Sequence, residues 1–316
     1  MANKIEWLHL PGYTAETWNP ITGCTKVSAG CANCWAEKMS KRMAGRYGYP
    51  ASDPFKVTVH KDKFQKPFSW RNPRMVFVCS MGDLFHDDVP DNFINDVFNS
   101  IEAEENRKHL FLILTKRPKR MHELSGRWGP GAFPNNLWFG VSVENQDTAN
   151  KRIPWLLRIP AEKRFISAEP LLERVSINML WMEEEQKEPF RDELLEHTFL
   201  LDAQKELDWV IVGGESGFHA RPMHPDWVRS IRDQCAQTGT PFFFKQWGAW
   251  IPNSQKNDSK MKYSEVDMMG SEMLYKVGKK AAGRVLDSEV YNQYPHVQTR
   301  FIASHSNENE KQEGKI

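Results

Sequence analysis

MVFVCSMGDLFHDDVPDNFINDVFNSIEAEENRKHLFLILTKRPKR, residues 75–120, contains one full repeat of the fold. Two runs in it, MVFVCS (75–80) and LFLILT (110–115), are mostly apolar and rich in Val, Ile and Phe. Runs without polar alternation suit strands buried on both faces of a parallel sheet. Between them, DNFINDVFNSIEAEEN (91–106) starts after Pro90 with acidic residues in its first turn. That is how a helix start is marked. Each strand then ends in polar or small residues, SMGD and TKRP.

The same pattern extends to both sides. LWFGVSV (137–143), RFISAE (164–169), DWVIVGG (208–214) and PFFFKQW (241–247) read as further strands. They run into SVEN, SAEP, GGESG and KQWG. Helices are expected over 118–125, 147–158 and 225–238, the last opened by Pro225-Asp226 and stopped by Gly239. Strand, loop and helix in repetition predict an α/β fold, a partial (β/α) barrel of about six to seven parallel strands. Such barrels place their chemistry at the C-terminal ends of the strands. The barrel is expected over residues 1–290, with an insertion at about 178–207. Its core, 181–208, has ten acidic residues against three Lys and Arg and reads as a charged helix or hairpin. Residues 291–316 form a C-terminal extension, polar and expected to be disordered from about 304.

Composition narrows the function. The chain has 316 residues, 42 Lys and Arg against 41 Asp and Glu, and a net charge of +1. A general electrostatic grip on nucleic acid is not implied, although local basic patches exist. No apolar run of about 18 residues occurs, and MANKIEWLHLPGY has no basic segment leading into an apolar one. A cytoplasmic protein without membrane contact is expected. There are 12 Trp and 5 Cys. An odd cysteine count without a secretion signal argues against a disulfide framework.

Three of those cysteines lie in TWNPITGCTKVSAGCANCWAEKMSKRM (17–43), as Cys24, Cys31 and Cys34. The spacing is Cys-x6-Cys-x2-Cys. Gly23, Ser28 and Gly30 keep the loop compact and let its backbone approach a bound group. After Cys34 the sequence turns helical, so this cysteine sits at a helix N-terminus, which favours a thiolate. Three explanations compete. Structural zinc wants four closed ligands, and this segment supplies three. Independent buried thiols explain each cysteine alone, but not three among glycines. A 4Fe-4S cluster on three thiolates leaves one iron open to a further ligand. Elsewhere, Cys79 reads as strand packing and Cys235 as helix core. His86, beside two Asp, reads as a loop feature.

A cysteine triad in the first loop of an α/β barrel, followed by the aromatic Trp35, resembles the radical S-adenosylmethionine (SAM) enzymes. The Cys-x2-Cys half matches their pattern, while the first gap has six residues where three are usual. TWNPITGCTKVSAGCANCWAE, MVFVCSMGDLFHDDVP, LTKRPKR, LWFGVSVEN, ISAEPLL, WVIVGGESG and KVGKKAAGRVLD, in that order over about residues 17–290, resemble more closely a phage-associated radical-SAM-like family.

That resemblance implies a 4Fe-4S cluster on Cys24, Cys31 and Cys34, with SAM on its open iron. It implies SAM contacts from Ser80, Gly82 and Asp83 to the amino group, and from Ser142 and Glu144 to the ribose. Lys116 would pair with the SAM carboxylate or with a substrate phosphate. Glu169 and Glu215 are the remaining rim carboxylates, either able to bind a substrate amine or act as a general base. An electron donor such as flavodoxin or ferredoxin is the implied partner. Lys116, Arg117, Lys119 and Arg120 form a basic patch beside the rim, suited to phosphates of DNA or a nucleotide, with Trp and Phe available for stacking. The expected reaction is hydrogen abstraction by a 5′-deoxyadenosyl radical, leading to isomerisation or rearrangement of a modified, thymidine-type base in phage DNA. Two alternatives stay open: a zinc-stabilised module that binds nucleic acid or protein, and a radical SAM enzyme for a peptide or small molecule.

Overall fold

The computed structural model describes residues 5–128, 133–178, 180–181, 200–201, 206–256 and 261–297. Seven strands form one parallel sheet: β1 (Thr14–Trp18), β2 (Arg74–Val78), β3 (Leu110–Thr115), β4 (Leu137–Ser142), β5 (Lys163–Ala168), β6 (Trp209–Gly213) and β7 (Phe242–Gln246). Spatial order equals chain order, and every neighbouring pair is parallel. Right-handed crossovers in such an order keep the connections on one face. The sheet curls into a half-barrel.

All six apolar runs form strands. The seventh, β1, is TAETW, too short and polar to stand out. It lies at the sheet edge beside β2, with half-exposed side chains along most of its length. Helix α1 (Trp35–Arg42) starts at the cavity and buries only Ser40, whereas α2 (Asp91–Glu102), α3 (Pro118–Ser125), α4 (Gln146–Leu157) and α5 (Pro225–Thr238) cover the outside. The helix expected over 91–106 ends at Glu102 and continues as a short 3-10 turn, Glu104–Asn106. Helix α4 starts at a reciprocal cap: Asn145 Oδ1 accepts from Thr148 N at 3.0 Å, and Thr148 Oγ1 accepts from Asn145 N at 3.1 Å. Helix α5 ends at Gly239, whose φ of +74° suits a residue without a side chain.

Alternation along the strands builds two cores. Phe111, Ile113, Phe139, Val141, Ile166, Val210, Val212, Phe242 and Phe244 face the helices. Leu110, Leu112, Trp138, Phe165, Trp209, Ile211 and Phe243 fill the concave face. Trp7 and Leu8 close that inner core from the N-terminal side, with Tyr294 and Val297 packed against it. The Trp209 ring meets those of Trp7, Trp138, Phe165, Phe243 and Tyr294. Much of the tryptophan excess is thus core. Large rings fill the lower layer, and one layer up the inward residues are small or polar: Ser142, Ser167, Gly213 and Lys245. A cavity opens above the rings.

After β7 a small antiparallel sheet forms from Trp250–Pro252, Glu272–Lys276 and Glu265–Met269, which the strand pattern did not predict. Leu180–Trp181 pairs antiparallel with Leu200–Leu201 at the base of the acidic insertion. The charged helix or hairpin expected there, and the tail from 304, lie outside the described residues. No helix among the described residues is long and apolar enough to cross a membrane.

Candidate functional site

A cavity of about 310 Å³ opens at the C-terminal ends of the strands. Cys24, Cys31 and Cys34 line it together with Ser80, Gly82, Asp83, Lys116, Ser142, Glu169 and Glu215. These ten expected site residues come from the C-terminal ends of β1 to β6 and the loops after them, so the topology gathers what the sequence scatters over nearly 200 positions. Glu144, Arg117, Lys119 and Arg120 are not among its lining residues.

The cysteine loop crosses the top of the half-barrel and is fastened along its length. Asn19, just after β1, accepts through Oδ1 from Met81 N (2.9 Å) and Ser80 Oγ (3.2 Å). Gly23 donates to Met81 O at 2.9 Å and bridges Gly82 in parallel. Gly23 has φ +87°, and a Cβ there would lie 2.2 Å from Lys56 O, so only glycine fits. Cys24 N donates to Phe55 O at 3.1 Å. Cys34 is the N-cap of α1, which stops at Arg42, short of Gly45. Trp35, at 58% exposure, stands at the cavity mouth.

Three carboxylates hold this loop. Asp83 Oδ1 accepts from Thr115 Oγ1 (2.7 Å) and Phe85 N (3.0 Å), and its Oδ2 from Lys116 N (3.1 Å) and Arg117 Nη1 (3.2 Å). Arg117 also points Nη1 at Cys24 Sγ (3.5 Å) and donates to Thr25 Oγ1 (2.8 Å). The second is Glu144, fully buried, which accepts from Ser28 Oγ (2.9 Å), Lys116 Nζ (2.6 Å) and Arg152 Nη1 (3.0 Å). Burial pushes its carboxyl up, but Lys116 and Arg152 outweigh this and hold it below the usual carboxylate range. Gly30 rests on Glu144: a Cβ at Gly30 would stand 2.4 Å from Glu144 Cγ. The third is Glu215. Its Oε2 accepts from Asn33 Nδ2 (2.9 Å) and Arg221 N (2.8 Å), and its Oε1 from Arg221 Nη2 (2.7 Å). Burial raises its pKa, and the Arg221 and Asn33 bonds more than reverse that. Arg221 reaches on to Ala29 O at 2.9 Å.

Several expected roles meet different surroundings here. Glu144, Lys116 and Glu215 already have partners within the chain, and those partners brace the cysteine loop. Arg117, Lys119 and Arg120 line a second hollow of about 610 Å³ beside α3 and α4. Arg120 is bound to the carbonyls of His86 and Val89 and to Asp91, and Lys119 lies over the Trp155 ring. His86 Nε2 meets Thr25 Oγ1 at 2.8 Å, a further brace. Gly214 packs where a Cβ would meet Trp247 O at 2.0 Å, so its smallness lets the ends of β6 and β7 approach closely. Cys79 is buried with φ +63°, and burial pushes its thiol up strongly.

The bracing residues Asn19, Ser28, Asn33, Arg152 and Arg221 carry no motif that singles them out in sequence. Only their distance-independent chemistry, amides and cations beside rim carboxylates, hints at them.

The donor set suits an iron–sulfur cluster. Three thiols from one loop share a cavity, and an Arg117 N–H faces one sulfur. Burial, then Asp83, raises the Cys24 thiol to about 11. Among the described residues no three His, Cys, Asp or Glu side chains gather to hold a single ion.

No curated protein and no solved structure matches the chain. A family model described as "Protein of unknown function (DUF5131)" matches residues 3–295, nearly the whole length, and the chain belongs to that family.

Proposed function

We propose that this protein is a radical SAM enzyme, with Cys24, Cys31 and Cys34 as the thiolate ligands of a 4Fe-4S cluster and the half-barrel cavity as its reaction chamber. The observation that carries the reading is the shared cavity. Three cysteines spaced Cys-x6-Cys-x2-Cys line one hollow at the C-terminal ends of seven parallel strands. When bound, the cluster and SAM supply a one-electron cleavage of the sulfonium that yields a 5′-deoxyadenosyl radical for hydrogen abstraction.

The chain's own residues do the rest. Asp83, Glu144 and Glu215 fix the cysteine loop from three different strand ends, so the thiols are positioned before any group binds. Gly82, Ser80 and Ser142 give the cavity small walls on the β2–β4 side. Phe55, Phe77 and Leu114 line it with apolar surface, which excludes water from a reactive centre. An external one-electron donor of the ferredoxin or flavodoxin type is required.

The test is product analysis. The anaerobically reconstituted chain, given SAM and dithionite, is expected to release 5′-deoxyadenosine and methionine. Cys24→Ser, Cys31→Ser and Cys34→Ser are each expected to abolish that release. SAM recovered intact from the unsubstituted chain after iron and sulfide uptake would refute the reading.

A further inference from the structure

The β5–β7 side of the cavity contains two acceptors without a donor. Glu169 Oε2 accepts from Lys245 Nζ (2.9 Å) and Ser167 Oγ (3.3 Å), while its Oε1 is buried with no hydrogen bond. Gln246 is 6% exposed; its Nε2 donates to Gly214 O at 2.9 Å, and its Oε1 is buried with no partner. Of the buried unpartnered side-chain atoms among the described residues, only these two belong to residues lining the cavity.

The two residues are neighbours by construction of the sheet. Glu169 Oε1 lies over Gly213, 2.3 Å from where a Cβ would stand. Gly213 is in turn the register partner of Gln246, because the β6–β7 register shifts just there and passes over Lys245. Such an irregularity re-aims a side chain, and here Lys245 reaches Glu169. Buried acceptors are nearly always paired, and leaving one unpaired is costly. Two on neighbouring residues of one cavity wall offer a donor from outside the chain a place to bind.

The chemistry of the pair selects that donor. A carboxylate oxygen and a carboxamide carbonyl only accept hydrogen bonds, so a carbonyl or an anion gains nothing from them. A nitrogen with two or more hydrogens satisfies both. We propose that the substrate is bound through such a nitrogen, of a primary amine, an amidine or a carboxamide, donating to Glu169 Oε1 and Gln246 Oε1. This rests on the reading of the cavity as a reaction chamber, and it assigns Glu169, Gln246 and Gly213 to substrate recognition. Lys245 fixes which Glu169 oxygen is left for the ligand.

The experiment is an NMR titration of the full-length chain, before and after reconstitution with iron and sulfide, with benzylamine, benzamide and methyl benzoate. The three probes share an apolar ring and differ in the donor. At least one nitrogen probe is expected to bind at least tenfold more tightly than methyl benzoate, benzylamine against benzamide distinguishing a cationic from a neutral donor. Glu169→Met and Gln246→Met, each checked for a native melting transition, are expected to remove that preference. No binding by either nitrogen probe, equal binding by methyl benzoate, or unchanged affinity in both variants would overturn the proposal. The unsubstituted chain decides the matter if a variant does not fold. Preferential binding by a chain that takes up no iron would leave the subsite standing and sink the radical chemistry instead.

Discussion

Glu144 shows how much a single buried carboxylate can organise. It has no exposed side-chain surface and draws Lys116, Arg152 and Ser28 to one point under the cysteine loop. Removing one member of a buried ionic group strands the others, which costs about 3–5 kcal/mol. Glu144→Gln is therefore expected to lower the unfolding free energy by about 3 kcal/mol in urea denaturation, and an effect below about 1 kcal/mol would contradict the bracing role. His109 makes a pH prediction. It is fully buried, and its Nδ1 accepts from Arg74 N at 3.1 Å, which requires the neutral ring. Burial, then the Lys108 and Arg74 cations, pushes its pKa down to about 4. The unfolded chain takes up this proton near pH 6.5, before the folded chain does. Stability is then expected to fall by roughly 3 kcal/mol as pH drops from about 6.5 to about 4. His109→Asn keeps an acceptor without the titration, and its denaturation curves should show a flatter acid limb.

At the scale of elements, capping ties local sequence to the site. The Asn145–Thr148 box starts α4, and Thr148 Oγ1 also accepts from Glu144 N at 3.0 Å, so the helix start fixes the residue that braces the loop. Asn145→Ala is expected to cost about 1 kcal/mol, read as a lower melting temperature. The Pro225 start and Gly239 stop of α5 were visible in the sequence, but the Asn145–Thr148 box was not. Legible instead were the long apolar runs, because strands buried on both faces lose the polar interruptions that would blur them. Strand β1 was hidden for the opposite reason: at the edge, TAETW keeps polar residues half exposed. The antiparallel sheet after β7 was hidden likewise, since Glu265–Met269 is mostly exposed and lacks an apolar run.

For the whole molecule, chain-order strands make one end of a curled sheet the meeting place of every loop. That is why the strand-end tetrads could be read as a rim before any contact was known. Cys24, Cys31 and Cys34, Ser80 and Glu169 line the cavity they form. The partners of the rim were illegible, since Arg152 bonds Glu144 from eight residues on and Arg221 meets Asn33 through Glu215 over more than 180 positions. The ties of the basic run 115–120 were equally hidden: Asp83, Glu144 and Asp91 pair with Arg117, Lys116 and Arg120. The proposed chemistry requires an iron–sulfur cluster on the cysteine loop. Anaerobic metal and sulfide analysis, paired with Mössbauer spectroscopy of the reconstituted chain, tests it most directly. About four irons and four sulfides per chain, lost together in Cys31→Ser, are predicted. One zinc per chain, with no iron bound under the same conditions, would contradict it.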